Sequence, residues 1–246
     1  MKLLVRIVLF FSIFSIFSNL AAAHDITVLT TIWAPYAYEE NGKLTGLSTE
    51  IVTAVLDRAG LSAKFYLYPW KRAIVTAADQ KDVLIYPLMR IKERENNFIW
   101  VAPVFNAEIS LYKLKKRTDI TITSLDDARK YTIGVLRGAA MHQHLLSHGF
   151  VDNQQLRIFG SNRKSVELLF KERIDLIADN PMVVSYEAQK VGFSMTETQK
   201  VLHLFENEAY MAFGKGSSEK YVERLKKALE HLRSEGTIET ICEKYR

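Results

Sequence analysis

The amino-acid sequence predicts an α/β fold with two lobes, each a mostly parallel sheet flanked by helices. Strand-like runs such as ITVLT and KFYLY alternate with amphipathic segments such as STEIVTAVLDRAG and WKRAIVTAADQ. The run DVLIYPL is continuously apolar, which is typical of a strand covered on both faces. The alternation restarts at SLDDARKYTIGVL, so the chain holds two α/β units of about a hundred residues each.

The first 23 residues have the organisation of a secretory signal peptide. Lys2 and Arg6 form a positive start, IVLFFSIFSIF forms an apolar core, and AAA supplies small residues just before His24. An uncleaved membrane anchor is the alternative, since the apolar segment is nearly long enough to span a bilayer. We expect cleavage after Ala23, which would release the remaining chain into a periplasm.

Charge and cysteine content exclude several classes of protein. Loss of Lys2 and Arg6 would lower the formal charge from +5 to +3, and acids are interspersed with the bases, so there is no nucleic-acid footprint. No later stretch is long and apolar enough to cross a membrane, so no stable insertion is expected after cleavage. Cys242 is the single cysteine, which excludes an intramolecular disulfide.

The first unit begins with the strand ITVLT, which is short and rich in β-branched residues. After the turn EENGK, apolar residues repeat at helical spacing through STEIVTAVLDRAG. Ser48 is expected to be the N-cap of this helix, Glu50 lies in its first turn and Gly60 ends it. KFYLY, WKRAIVTAADQ and DVLIYPL then follow as strand, helix and strand, the order of a parallel sheet covered by helices.

The second unit begins with SLDDARKY, which is predicted to be a capped helix, followed by the strand TIGVL and a helix entered through Gly138. LRIF and IDLIAD are further strands, and SNRKSVELLFKER and PMVVSYEAQKV are helices. NAEISLYKLKKR and FENEAYMAF are extended segments that suit connections between the units. Residues 217–246 form a charged amphipathic helical region with Leu225, Leu229 and Leu232 as its core stripe.

A cluster of charge follows the apolar strand DVLIYPL. Tyr86, Arg90 and Arg94 lie at or beyond the carboxyl end of this strand, where ligands collect in open α/β sheets. Two simpler interpretations are a solvated helical face and loop charges that keep the surface soluble. The position at a strand end favours a binding rim.

Six segments, in this order, resemble the periplasmic solute-binding proteins of family 3, the amino-acid-binding type: WAPYAYEENGKLTGLSTEIV, YPWKRA, DVLIYPLMRIKERENNFIWVAPVF, SLDDARKYTIGVLRGAA, ERIDLIADN and EGTIETICEKY. The likeness covers essentially the whole exported chain. It implies the type II periplasmic binding fold, in which two lobes joined by two crossing strands close over a small ligand by a hinge motion. It further implies a first lobe of 24–110 plus 211–246 and a second lobe of 111–210, with crossings near 107–115 and 205–212.

The resemblance assigns the two arginines unequally. Arg94 stands where the family has its carboxylate-binding arginine, and a guanidinium presents paired donors that match the two oxygens of a carboxylate. A surface ion pair with Glu93 or Glu95 is the alternative. Arg90 falls outside the family's usual contact positions, so a strand-capping or inter-lobe ion pair explains it as well as ligand contact does.

Aromatic residues supply the next candidates for ligand contact. Trp33 and Tyr36 match positions after the first strand where the family stacks a ring on the ligand. Trp70 opens a helix near the same strand ends, and Tyr86 lies at the end of its own strand. Core packing is the alternative for all four of these rings.

The second unit contributes two further groups of candidates. Gly138, Ala139 and Ala140 form a strand-to-helix turn whose backbone N–H groups suit a carboxylate. The family has hydroxyl residues at the two alanine positions, so those side-chain hydrogen bonds are missing here. The family's acid for an α-ammonium group aligns with Asn180, with Asp179 one residue earlier. Unless Asp179 turns into the cleft, we expect a weaker preference for free α-amino acids.

Three histidines follow Gly138, but they do not predict a metal site. On a helix only His144 and His148 share a face, whereas His142 points elsewhere, and no acid or cysteine lies at ligand spacing. Neither a metal nor another cofactor is therefore expected. Cys242 is expected to be a packing residue.

The resemblance implies a periplasmic receptor that captures a small polar, carboxylate-bearing solute, such as an amino acid, and delivers it to the membrane subunits of an ABC transporter. A binding protein of this kind is not an enzyme. Two alternatives stay open because a fold does not determine function. One is an enzyme on the same scaffold, similar to cyclohexadienyl dehydratases, with Glu50, Asp179 and Glu208 as available acids; a raised carboxyl pKa in the cleft would favour it. The other is a free-standing sensory binding protein.

Overall fold

Ten strands and seven helices make up residues 25–245, which are the residues that this computed structural model describes. The signal peptide predicted for 1–23 lies outside them. The strands are β1 Ile26–Thr30, β2 Tyr38–Glu40, β3 Lys43–Thr45, β4 Ala63–Leu67, β5 Val83–Met89, β6 Phe98–Leu114, β7 Ile133–Leu136, β8 Leu156–Phe159, β9 Leu176–Asp179 and β10 Thr198–Gly214. The helices are α1 Leu47–Arg58, α2 Trp70–Asp79, α3 Ala140–Ser147, α4 Asn162–Phe170, α5 Pro181–Lys190, α6 Glu219–Ser234 and α7 Thr237–Glu243.

Eight of these strands form one mixed sheet in the order β4-β1-β5-β10-β6-β9-β7-β8. The outer groups, β4-β1-β5 and β9-β7-β8, are parallel, as the sequence predicted for each lobe. The central strands β10 and β6 are antiparallel to each other and to their outer neighbours β5 and β9. The α/β fold class is therefore confirmed, with the two parallel groups linked through a shared centre.

The two long central strands connect the lobes. β6 and β10 each have 17 residues and pair from Thr198–Leu114 at one end to Gly214–Phe98 at the other. The predicted crossings near 107–115 and 205–212 lie along these strands. We call β1, β4 and β5 with α1, α2, α6 and α7 the first lobe, and β7–β9 with α3–α5 the second lobe. The cleft between them is bordered by the carboxyl ends of both parallel groups.

A close backbone contact at the start of α1 positions the loop that follows β1. The helix begins after Gly46, which has a φ of 112°. A Cβ at this position would lie only 2.6 Å from the carbonyl oxygen of Tyr36, so only glycine fits here. Ser48 was expected to be the N-cap, but it lies inside the first turn, buried, and its hydroxyl donates to the Tyr36 carbonyl at 2.7 Å. The loop from Trp33 to Tyr36 is thereby fixed against α1.

The segment SLDDARKY differs from its prediction as a capped α-helix. It forms only a 3-10 turn at Asp127–Lys130. The carboxylate of Asp127 accepts hydrogen bonds from the backbone N–H groups of Thr123 and Ser124, both at 3.1 Å. Because this side chain stabilises a local turn, the segment does not extend into a regular helix.

Helix α6 closes the first lobe. Leu225, Leu229 and Leu232 are buried, as the core stripe predicted, and α6 packs against α1 and β6. Burial of this stripe stabilises the lobe through apolar area removed from water. Within residues 25–245, the structure has no helix with the length and apolarity needed to traverse a bilayer.

Candidate functional site

A small cavity lies between the strand ends of the first lobe and the β7–α3 turn of the second. It measures about 30 Å³ as the space open to the centre of a water molecule. Its polar side chains are those of Thr31 and Arg94, and the rest of its wall is apolar. The lining residues are Thr31, Trp33, Trp70, Pro87, Met89, Arg94, Leu136, Ala139, Ala140 and Met141.

Arg94 is the charged residue of this cavity. It follows β5 in a 3-10 turn, Lys92–Arg94, which directs its side chain inward so that the residue is only 5% exposed. Nη1 donates to the carbonyl oxygen of Met89 and Nη2 donates to that of Gly138, both at 2.9 Å. A guanidinium has five N–H donors, so donors are left for a ligand. The second bond connects the two lobes directly.

The charge of Arg94 has no carboxylate partner within residues 25–245. The alternative of an ion pair with Glu93 or Glu95 is not realised, because Glu95 pairs with Arg90 instead and Arg94 forms no salt bridge with either acid. Burial lowers the pKa of Arg94 to about 10, and the charge of Glu93 raises it slightly. The group is still protonated at neutral pH, so the cavity contains a buried cation that an anion would stabilise.

Trp33 and Trp70 form aromatic walls of the cavity, and both are buried. The Trp70 ring centre lies 6.0 Å from the guanidinium carbon of Arg94, a distance at which a cation–π contact is still attractive. The Trp33 indole Nε1–H donates to Asp179 Oδ1 at 3.3 Å. One wall of the cavity is thus fixed by a hydrogen bond between the lobes.

Asp179, at the end of β9, is buried behind Trp33 rather than lining the cavity. Its carboxylate accepts hydrogen bonds from Trp33 Nε1, from the backbone N–H of Asn180 at 2.8 Å and from Asn162 Nδ2. Burial nevertheless raises the pKa of Asp179 to about 6, against the lowering effect of these three donors. The acid is therefore committed to protein donors.

Asn180 is equally committed to neighbouring elements. Its Oδ1 accepts from the Tyr36 hydroxyl at 3.0 Å and caps α5 by accepting from the N–H of Met182 at 2.9 Å. Its Nδ2 donates to the carbonyl oxygen of Glu108 on the crossing strand β6 at 3.1 Å. The Tyr36 ring stacks on Phe105 with centroids 4.0 Å apart. Tyr36 and Asn180 thus form a further connection between the lobes, in addition to the Arg94–Gly138 and Trp33–Asp179 hydrogen bonds.

In the β7–α3 turn, the sequence suggested that backbone N–H groups are free to bind a carboxylate. At Gly138 and Ala139 these N–H groups are already hydrogen bonded within the protein. The Gly138 N–H donates to His142 Nδ1 at 3.1 Å, and the Ala139 N–H donates to the Leu136 carbonyl at 3.1 Å. Gly138 has φ of +73°, which a glycine adopts readily. The turn contributes the carbonyl of Gly138 to Arg94 and two methyl groups, of Ala139 and Ala140, to the cavity wall.

Tyr86 and Arg90, which the sequence suggested as ligand contacts, do not line the cavity. Tyr86 is fully buried inside the first lobe, with its hydroxyl 3.0 Å from that of Thr49. Alternate side chains of a strand point to opposite faces, and Tyr86 lies on the face of β5 that contacts Thr49 of α1. Arg90 lies at the surface, paired with Glu95 and placed 5.3 Å from the centre of the Trp100 ring. Arg90 is therefore in an ion pair, but within the first lobe and not between the lobes as the inter-lobe alternative expected.

The histidines of α3 have separate roles. His142 is buried, with Nδ1 accepting from Gly138 and Nε2 lying 2.9 Å from an Asp152 carboxylate oxygen. His144 and His148 share a helix face, as predicted, with ring centres 4.3 Å apart. Among residues 25–245 there is no group of three or more His, Cys, Asp or Glu side chains arranged for a metal ion.

Several cavity residues were not anticipated. Thr31, Pro87 and Leu136 lie at or near the carboxyl ends of β1, β5 and β7, so the strand-end rule that favoured Arg94 would also have found them. Met141 lies in the first turn of α3. The hydrogen bond from Asn162 to Asp179 was not predicted either. It joins the start of α4 to the end of β9, and neither residue type nor sequence spacing indicates that these two positions meet.

Known proteins resemble this chain, in sequence or in fold, over most of its length. The "Probable amino-acid-binding protein YxeM" of Bacillus subtilis (strain 168) is 23% identical over 212 residues, which cover 86% of this chain and 79% of that one. A histidine kinase sensor domain with similarity to periplasmic binding proteins has a TM-score of 0.81 at 18% identity, covering 90% of this chain and 96% of its own. An ancestral arginine-binding protein bound to arginine has a TM-score of 0.77 at 24% identity, covering 89% and 97%.

At these identities the solved structures establish the two-lobed fold, while the sequence determines the family. A sequence model of one family matches residues 26–246, which is essentially the whole chain after the predicted signal peptide. This match includes both lobes, the crossing strands and the arginine of the cavity. The chain belongs to the bacterial extracellular solute-binding proteins, family 3.

Proposed function

We propose that this solute-binding protein captures a small carboxylate-bearing molecule in the cavity between its lobes, with Arg94 as the anchor of the carboxylate. The ligand would lie between the rings of Trp33 and Trp70, against the methyl groups of Ala139 and Ala140. Arg94 already donates to the second lobe. Binding would therefore be coupled to closure of the lobes about β6 and β10.

The single observation that supports this proposal most strongly is the uncompensated charge of Arg94. A buried cation whose partners are two carbonyl oxygens is costly to desolvate. A carboxylate that accepts two parallel N–H bonds from the guanidinium would offset that cost. Each charge-assisted hydrogen bond contributes about 1.5–3 kcal/mol.

A thermal-shift screen of the exported protein against small carboxylates and matched neutral amides would test the anchor. A ligand present at a hundred times its Kd stabilises the fold by about 2.7 kcal/mol, which is readily measured. We expect stabilisation by a carboxylate but not by its amide, and loss of this effect in Arg94→Gln. Arg58→Gln is the matched control, because Arg58 pairs with exposed Glu235 and does not line the cavity. Equal stabilisation of the Arg94→Gln and Arg58→Gln variants would contradict the proposal.

We further propose that the protein works in the periplasm and delivers its solute to an ABC-type transporter. Membership of an extracellular solute-binding family supports this role. Cells lacking the protein are expected to lose high-affinity uptake of the radiolabelled carboxylate that stabilises it most. Unchanged uptake, together with a changed transcriptional response to that carboxylate, would instead support a free-standing sensor.

An enzymatic role is favoured by one observation, the raised pKa of buried Asp179 beside the cleft. Its three hydrogen-bond donors are a structural explanation for the same residue. Proton NMR of each stabilising carboxylate, incubated with the protein, distinguishes the two roles. Turnover that Asp179→Asn abolishes would support the enzyme, whereas an unchanged spectrum supports the binding protein.

A further inference from the structure

We infer that the ligand is a short, apolar monocarboxylate that lacks an α-ammonium group. This inference rests on the proposed function, since it takes Arg94 as the carboxylate anchor, and it specifies what the remainder of the ligand is. It concerns the part of the cavity that does not touch the guanidinium. The argument depends on which groups face the cavity and which are turned away from it.

No described residue that lines the cavity is an acid. Apart from Arg94, the polar side-chain groups in the wall are the hydroxyl of Thr31 and the indole N–H donors of Trp33 and Trp70, and of these three only the hydroxyl can accept a hydrogen bond from an ammonium group. The carbonyl oxygens of Met89 and Gly138, which could accept from an ammonium group, already accept from Arg94. An ammonium group buried here would lose its hydration and lie near another cation, and both effects disfavour it.

The two polar residues at the end of β9 do not supply the missing acceptor. Asp179 has both carboxylate oxygens hydrogen bonded, one of them by the cavity residue Trp33, and it does not itself line the cavity. Asn180 uses both atoms of its amide, accepting from Tyr36 and from the first turn of α5, and donating to β6. Recruiting either residue for a ligand would break contacts that connect the two lobes. These side chains therefore stabilise closure and leave the cavity without a negative group.

The remaining wall suits a hydrocarbon chain. Trp33, Trp70, Pro87, Leu136 and Met141 surround the cavity with aromatic and aliphatic surface, and Met89, Ala139 and Ala140 complete it. Burial of apolar atoms against this surface is favourable by about 25 cal/mol per Å². The small volume, about 30 Å³ for water centres, restricts the ligand to a short chain.

Matched pairs of acids that differ only in the ammonium group provide the test. The exported protein is titrated by calorimetry with pentanoate and L-norvaline, with 4-methylpentanoate and L-leucine, and with 3-phenylpropanoate and L-phenylalanine. We expect the member without the ammonium group to bind at least about tenfold more tightly in the best pair, because a desolvated ammonium would find no acidic partner among the lining residues. Arg94→Gln should abolish this binding, and Arg58→Gln should retain it. The wild-type comparison stands even if Arg94→Gln does not fold.

The possible failures separate the inference from the proposed function. If L-norvaline or another amino acid binds as tightly as its partner, and Arg94→Gln abolishes this binding, the inference is overturned and the carboxylate anchor stands. If no carboxylate of any pair binds, the proposed function fails as well. Binding of both pair members that survives Arg94→Gln would also overturn both.

Discussion

Arg94 and Gly138 meet across the cleft, where the guanidinium Nη2 of Arg94 donates to the Gly138 carbonyl oxygen at 2.9 Å. The same side chain donates to Met89 in its own lobe at 2.9 Å. One buried cation thus contacts both lobes and the cavity between them. A ligand bound to Arg94 would therefore report on closure as well as on its own contacts.

Replacement of Arg94 by lysine tests whether the fork of the guanidinium is needed. Lysine keeps the charge but presents a single ammonium, which cannot donate to Met89, Gly138 and a carboxylate in the same geometry. We expect the affinity for a carboxylate to fall by about tenfold to a hundredfold, which corresponds to about 1.4–2.7 kcal/mol. Calorimetric titration of the Arg94→Lys variant with pentanoate measures the loss. An unchanged affinity would show that charge alone is sufficient.

The hydrogen bond from Trp33 to Asp179 should stabilise the closed arrangement. Trp33→Phe keeps an aromatic wall but removes the Nε1–H donor at 3.3 Å from Asp179. Loss of a hydrogen bond to a charged group costs about 1.5–3 kcal/mol, so we expect a decrease of this size in the free energy of unfolding. Denaturation in urea measures it.

A second tryptophan provides the matched control for this experiment. Within the described part of the chain, the buried Nε1 of Trp100 has no hydrogen-bond partner. Trp100→Phe removes an unsatisfied donor, so its loss of packing is partly offset. The decrease should be clearly smaller than for Trp33→Phe. Equal decreases for the two variants would mean that the Trp33–Asp179 bond adds no stability.

Asn180→Asp restores the acid that the family pattern expects, yet we predict no gain in amino-acid binding. The side-chain oxygen at this position is already used by Tyr36 and by the N-cap of α5. The new carboxylate would lose the bond to the Glu108 carbonyl at 3.1 Å and face that oxygen instead. We expect about 2 kcal/mol of destabilisation at neutral pH from the lost bond and the unsatisfied acceptor. Urea denaturation measures the predicted loss of stability, and titration with L-norvaline measures amino-acid binding. Tighter binding of L-norvaline by Asn180→Asp would refute the structural role given to Asn180.

The sequence located the main elements of the cavity because they recur at strand ends. Trp33, Trp70 and Arg94 lie a few residues after the ends of β1, β4 and β5, respectively, and local pattern indicates where parallel strands end. The partners of these residues could not be predicted in the same way. Arg94 bonds a carbonyl 44 residues away, and backbone acceptors have no signature in residue type.

Tyr86 and Ser48 show where local pattern was insufficient. An apolar strand covered on both faces has no alternation, so the sequence does not tell which face Tyr86 occupies. Ser48 has the residue type of an N-cap, but the helix begins at Gly46 because only glycine permits its φ of 112° beside the Tyr36 carbonyl. In both cases a tertiary contact outweighed a local preference.

The pKa of Asp179 gives the fold a specific pH dependence. Burial raises this pKa from 3.8 to about 6, so the folded protein binds a proton more tightly than the unfolded chain does. The groups that face this carboxylate are the neutral donors Trp33, Asn162 and Asn180, with Glu187 raising the pKa further by its charge. Between pH 3.8 and about 6 the folded state holds the extra proton, so the stabilisation from Asp179 is lost as the pH rises through that window.

Urea denaturation of the wild type and of Asp179→Asn, between pH 4 and pH 7, isolates this contribution. Relative to the variant, the wild type should lose about 2 kcal/mol of unfolding free energy across this range, since each pKa unit corresponds to about 1.4 kcal/mol and the unfolded carboxyl is already partly ionised at pH 4. Asp179→Asn can keep a hydrogen bond to Asn162 if the side-chain amide of Asn162 rotates by 180° about its terminal bond. The buried Asn162 Oδ1 has no partner among residues 25–245, and after this rotation it would accept from the amide introduced at position 179. Parallel pH profiles for the two proteins would show that Asp179 titrates like an ordinary exposed acid. A wild-type stability that rises with pH relative to the variant would show that its three donors outweigh burial, and would reverse the sign derived from the structure.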